Sequence, residues 1–221
     1  MVLFQLASAP VLAGIFYLYI RDRYEKEPWR MVAAGTVYGW ISAFLTYGAG
    51  TLLEGLLPHE ETPFYTAFFS AALIEEGVKF LLMLGLILPN RQFNEPFDGI
   101  VYAVFLSLGF AWVENLVYVV HPVMGGYGTA LSRAVLSVPG HGLFGVQMGY
   151  YLGRRKFGGG RWQRWAAFMV PFALHGAYDY FLLRPERFWD IPFWGLEVFL
   201  WILGLRRMRE LLERSPFRPT G

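Results

Sequence analysis

The chain has 221 residues, 55% of them hydrophobic and 19% aromatic, with 16% charged and a formal net charge of +2. So apolar a composition excludes an ordinary soluble domain of this size and points to a polytopic membrane protein, with nothing to suggest a nucleic-acid partner. With no cysteine, disulfides, thiol chemistry and thiolate-held metals are excluded, and a metal would have to take His, Asp or Glu.

Seven apolar stretches follow one another, at about 2–20, 31–57, 63–88, 98–120, 128–153, 163–183 and 191–205. Each is near the roughly 20 residues that a helix needs to cross a hydrocarbon core about 30 Å thick. The expected fold is therefore all-α: a polytopic membrane helical bundle of about seven transmembrane helices, forming one domain over residues 1–221. The first stretch has no basic region ahead of it. LASAP (Leu6 to Pro10) precedes most of the apolar run, so the stretch reads as an uncleaved anchor.

Lys and Arg cluster in alternate connections. Arg21, Arg23, Lys26 and Arg30 follow the first stretch, Arg91 the third, and Arg154, Arg155, Lys156, Arg161 and Arg164 the fifth. Arg206, Arg207, Arg209, Arg214 and Arg218 lie at the C-terminal end. PHEET (58–62) and HPVMGGYGT (121–129) carry none, and Arg184 with Arg187 is the one contrary pair. The alternation predicts an outside N-terminus and a cytosolic C-terminus. KFGGGRW (156–162) reads as a flexible joint, and the basic tail as lying on the inner leaflet or ending solvated.

Small residues recur every four positions in three stretches: Gly35, Gly39 and Ala43; Ala103, Ser107, Ala111 and Asn115; and Ser137, His141, Gly145, Gly149 and Gly153. Such stripes let membrane helices approach closely. Pro139 and Pro171 predict freed carbonyls and bends near His141 and His175.

Polar side chains interrupt the central stretches at Glu75, Glu76 and Lys79, at Glu114 and Asn115, at Arg133, at His141, and at His175 and Asp179. Ionisable groups within a membrane are costly and face a protein interior or a wet cavity. Counting about 1.5 Å per residue from the outer edge puts Glu75 at roughly 18 Å, His141 at roughly 20 Å, Glu114 and His175 at roughly 10–12 Å and Asp179 near 6 Å. Lys79 falls deeper, and Arg133 reads as an interfacial anchor that snorkels outward. His175 and Asp179, four apart, share a helix face. A glutamate-and-imidazole set suits a divalent metal of the zinc type, with one carboxylate left free as general base, and an aspartate beside a ligand histidine would orient it. The HExxH pattern is absent. By residue type alone the set also suits a proton relay in a transporter or channel, or a silent scaffold.

EEGVK (75–79), FDGIVYAVFLSLGFAWVENLVYV (97–119), PGHGLFGVQMGYYLG (139–153) and ALHGAYDYFL (173–182) resemble, in order, the motifs of the PrsW family of intramembrane metalloproteases. RDRYEKEPW (21–29) resembles that family's first cytosolic loop. The related type II CAAX prenyl endopeptidases carry EExxxR and FxxxH; here Lys79 stands one place before that arginine position, and Phe110 to Glu114 ends in Glu. The resemblance implies an intramembrane endopeptidase acting on a membrane-protein substrate, an anti-sigma factor being the best-known one. It makes Glu75 and Glu76 the catalytic pair, with Glu75 favoured as the base. Glu114, His141 and His175 become the expected ligands of a divalent metal, most simply Zn2+, and Asn115 a candidate oxyanion donor. Asp179 is expected to orient His175, and Lys79 to pair with a glutamate.

Overall fold

The computed structural model describes residues 2–56 and 62–219; Pro58 to Glu61 of the PHEET joint lie outside the described residues. The described secondary structure is entirely helical. Helices occupy all seven stretches: α1 (Val2–Arg21), α2 (Trp29–Leu56), α3 (63–87), α4 (Asp98–Val120), α5 (Tyr127–Val135) with α6 (Ser137–Lys156), α7 (Trp162–Leu182) and α8 (Asp190–Glu213). Three described helical runs are long and apolar enough by length and composition to cross a membrane: Val2–Arg21, Asp98–Val120 and Arg187–Glu213. Large apolar side chains cover much of the outside, Trp29, Phe44, Tyr47, Trp165 and Ile191 each being more than 70% or close to 70% exposed, as a surface facing lipid would be.

The fifth stretch differs from its expectation, because it breaks at Leu136 into α5 and α6. Pro139 has no N–H to give the Val135 carbonyl, and its ring crowds that carbonyl, so the ladder fails one turn before the proline. Pro171 lies inside α7, which continues through it. The tail differs as well. α8 runs on to Glu213, with Met208, Leu211 and Leu212 buried, and Arg207 bonds Gln147 and Tyr151 of α6. The α3 stretch alternates type: π-helical turns at Thr66–Ala72 and Met83–Ile87 flank the α-helical Leu73–Leu82. Each π turn shifts the register of the side chains that follow it, a device often found beside functional groups.

α4 is the hub. Every residue from Asp98 to Ala111 is buried, and α1, α2 and α6 all pack on it. The small-residue stripes mate with one another. A methyl group on Gly149 would overlap the Gly99 carbonyl, and one on Gly99 would overlap the Gly149 carbonyl. On the opposite side, a methyl on Gly39 would strike the Leu106 carbonyl, and one on Gly109 the Thr36 carbonyl. The backbones touch, so the axial register of α2, α4 and α6 is fixed by atoms that cannot yield. Gly149→Leu should therefore separate α4 from α6 at a cost of at least about 1–3 kcal/mol, read as a lowered unfolding midpoint in detergent, while Gly48→Leu, at a position facing open space, should leave it unchanged.

Candidate active site and metal centre

α3 brings Glu75, Glu76 and Lys79 into the bundle within one turn and a half. Spacings of three and four place Lys79 under both glutamates: its Nζ donates to Glu76 Oε1 at 2.8 Å and to Glu75 Oε2 at 3.3 Å. The lysine is fully buried and also lies 3.9 Å from the Phe110 ring centroid. The sequence suggested an ion pair with one glutamate and the other left over; the single ammonium serves both.

Three further helices close around this group. The α4–α6 contact sets His141 beside Glu114, with Nε2 2.9 Å from Glu114 Oε2 and Nδ1 3.5 Å from Lys79 Nζ. From α7, His175 approaches Glu76 Oε1 through Nδ1 at 3.1 Å and Asp179 Oδ2 through Nε2 at 3.2 Å. The two imidazole rings stand 5.3 Å apart and almost perpendicular, and Phe144 stacks on His175. Both histidines thus hold Nε2 against a carboxylate and turn Nδ1 toward α3, His175 to Glu76 and His141 to Lys79. A carboxylate on one ring nitrogen fixes the tautomer and frees the other nitrogen as a ligand.

A divalent cation fits this arrangement. One oxygen or nitrogen from each of Glu75, Glu76, His141 and His175 lies within 4.8 Å of the others. Glu76 is fully buried, and its Oε2 has no hydrogen-bond partner. Lys79 meets Glu75 and Glu76, Arg133 meets Glu114, and Asp179 meets His175; with both imidazoles neutral, the four carboxylates exceed the two fixed cations by two charges, the charge of one divalent ion. Imidazole nitrogen with carboxylate oxygen is a donor set suited to zinc and its neighbours.

Two cavities meet at Glu75 and Glu114. One, of about 240 Å³, is lined by Glu75, Glu114, Arg133, His141, His175 and Asp179 among others and has room for several waters. The second, of about 710 Å³, has largely apolar walls from α2 and α4, including Phe44, Tyr47, Val113 and Val117. Glu75 and Glu114 line both; Glu76 lines neither.

Asn115 lies apart from this centre. Its Nδ2 donates to the Ala7 carbonyl of α1 at 2.7 Å, and its Oδ1 accepts from Arg133 Nε at 3.0 Å. Arg133, expected at the interface, instead turns inward and donates to Glu114 Oε2 at 2.6 Å. Continued back by four from Ser137, the small-residue stripe lands on Arg133, so the spacing itself carried the signal. Tyr178 was also missed: it lines the polar cavity, and its buried hydroxyl has no partner. Its place between His175 and Asp179 in the chain was the available signal.

Lys79→Met should leave two buried carboxylates without their shared cation and lower stability by about 3–5 kcal/mol, measured by unfolding in detergent; a change under about 1 kcal/mol would remove Lys79 as the neutralising group.

The family model described as "PrsW family intramembrane metalloprotease" matches residues 27–204. Among curated relatives, "Protease PrsW" of Geobacillus kaustophilus is 39% identical over 215 residues, covering 94% of this chain and 92% of the relative. "Protease PrsW" of Bacillus subtilis is 34% identical over 212 residues, covering 91% and 92%, and that of Clostridioides difficile is 32% identical over 220 residues, covering 96% and 92%. No solved structure matches the chain. With the family model spanning most of the residues and the relatives matched nearly end to end, this chain belongs to the PrsW family of intramembrane metalloproteases.

Proposed function

We propose that this protease is a multi-pass protein of the cell membrane that hydrolyses a peptide bond within or beside a transmembrane segment of another membrane protein. An anti-sigma factor is the substrate class that the family resemblance suggests. The observation that carries the reading is the position of Glu75: it stands with Glu76, His141 and His175 inside 4.8 Å and also lines both the polar cavity and the apolar crevice. Water reaches it from one side and an apolar segment from the other.

In this reading His141 Nδ1, His175 Nδ1 and Glu76 hold a divalent ion, zinc by its donor set. When bound, the ion supplies Lewis acidity. Glu75 takes a proton from the attacking water and returns it to the leaving amine. Glu114 and Asp179 hold the two imidazoles, so Glu114 acts on the metal through His141 rather than as a ligand. Lys79 offsets the glutamate charge. Tyr178, with its unpartnered hydroxyl at the cavity, is better placed than Asn115 to donate to an oxyanion. The substrate segment lies in the crevice between α2 and α4, locally unwound so that its backbone reaches Glu75.

The test is cleavage of a single-span reporter in proteoliposomes together with metal analysis. Glu75→Gln should cut about 10²–10⁴-fold more slowly while keeping its metal, and His141→Ala with His175→Ala should lose both metal and activity. Glu114→Gln should weaken metal affinity by about 10–100-fold without abolishing stoichiometric loading. Equal cleavage by wild type and Glu75→Gln would sink the mechanism; complete loss of metal at saturation in Glu114→Gln would make it a ligand.

All seven helical stretches would span the bilayer, with the N-terminus outside. The contrary Arg184 donates to Glu186 through two hydrogen bonds of 3.1 Å. Because the chain lacks cysteine, single cysteines report topology cleanly. Val123→Cys should react with an impermeant thiol reagent in intact cells and Gln92→Cys only after permeabilisation; the reverse would invert the orientation.

A further inference from the structure

A second group of buried carboxylates lies at the far end of α4 from Glu114. Asp98 opens that helix, and sixteen residues at about 1.5 Å each put roughly 24 Å between the two. Asp98 is fully buried, and the loop after α1 folds Asp22, Glu25 and Glu27 against it. One oxygen from each of Glu25, Glu27 and Asp98 lies within 4.8 Å of the others.

The hydrogen bonds of this group are half complete, and the missing halves coincide. Asp98 Oδ2 accepts from the N–H groups of Asn94 and Glu95 at 2.7 and 2.8 Å. Glu27 Oε2 accepts from the Tyr102 hydroxyl, and Glu25 Oε1 from Asn94 Nδ2 at 3.5 Å. The second oxygen of each, Asp98 Oδ1, Glu27 Oε1 and Glu25 Oε2, is buried with no N–H or O–H donor, as are Asp22 Oδ1 and Asn94 Oδ1, and the Glu27 and Asp98 carboxyls face each other. Asp98 and Glu27 are respectively 0% and 2% exposed, so bulk solvent does not reach them. Of the basic side chains around them in sequence, Arg23 and Lys26 are exposed, with Lys26 donating to the Tyr19 carbonyl, and Arg21 keeps a buried Nε without a partner. Unpaired carboxylates at such burial are strongly disfavoured unless they share a cation or a proton. Burial, with the neighbouring carboxylates adding to it, pushes Asp22 up to about 6 and raises Glu27 well above the carboxylate range.

We propose that Glu25, Glu27 and Asp98, with Asp22 and the Asn94 amide oxygen beside them, form a binding site for a hard divalent cation that ties the loop after α1 to the start of α4. The donors are all oxygen, and carboxylate-rich oxygen cages select Ca2+, or Mg2+ with retained waters, over zinc. Glu25 is only half-buried and gives the ion a way in. Such a clamp holds α4 at the end opposite the candidate active site, and it stands whether or not the proteolytic reading does.

The full-length protein in nanodiscs, stripped with chelator, is titrated with Ca2+, Mg2+ or Mn2+ while its unfolding midpoint is followed. Wild type should rise by roughly 5–10 °C at a hundredfold excess over Kd. Glu25→Gln, whose partly exposed side chain makes it a mild change, should need at least about tenfold more cation, and Asp98→Asn should lose the response. His141→Ala should keep the response, since that residue belongs to the other centre. Terbium provides a second readout that does not depend on stability: it should luminesce by transfer from nearby aromatic rings, be displaced by Ca2+, and do so weakly in Asp98→Asn. The site is refuted by a wild type indifferent to all three cations, by Glu25→Gln and Asp98→Asn responding as wild type does, or by a response that vanishes in His141→Ala. A cation-indifferent wild type whose midpoint rises in Glu27→Gln would show proton sharing and equally overturn the site.

Discussion

A carboxylate stays ionised inside an apolar helical bundle only if a cation or a set of donors reaches it, and the packing of this chain follows from that constraint. Lys79 meets Glu75 and Glu76 from the same helix, but one ammonium cannot balance two carboxylates. His141, His175 and Arg133 have to be drawn in from three other helices. Burying such groups costs more than packing hydrocarbon in their place, so their retention speaks for chemistry rather than for stability.

The electrostatic demand is met because the frame around it is rigid. Backbone-to-backbone contacts at Gly99 with Gly149, and at Gly39 with Leu106, leave α2, α4 and α6 no freedom to slide. His141 is therefore delivered to Glu114 at hydrogen-bonding distance. The two cavities share Glu75, Glu114 and Tyr118 as lining residues. A protease working in lipid has to bring water and an apolar segment to one carboxylate, and Glu75 lines both a polar and an apolar cavity.

α4 thus carries acid at both ends. At Glu114 the charge is met by an arginine and an imidazole. At Asp98 three carboxylates each keep one buried oxygen without an N–H or O–H donor. The two ends differ in what meets the charge: a guanidinium and an imidazole at Glu114, and N–H or O–H donors to only one oxygen of each carboxylate at Asp98.

Much was legible in the sequence. Apolar runs gave the helical class and the seven stretches, because a helix in lipid has to satisfy its own backbone. Glycines four apart announced which faces would meet, and Glu75, Glu76, His141, His175 and Asp179 stood out because charge is rare in such runs. The partners of these groups were not legible. Arg133 turned inward to Glu114, which lies on another helix. Asn115 turned to the Ala7 carbonyl because α1 packs there. RDRYEKEPW stood out only as a resemblance to the family's first cytosolic loop, and that the start of α4 covers its carboxylates was not legible. Residue type and spacing fix what lies along one helix, whereas hydrogen-bond partners and shared charge are set by the distances between helices, which only the folded bundle contains.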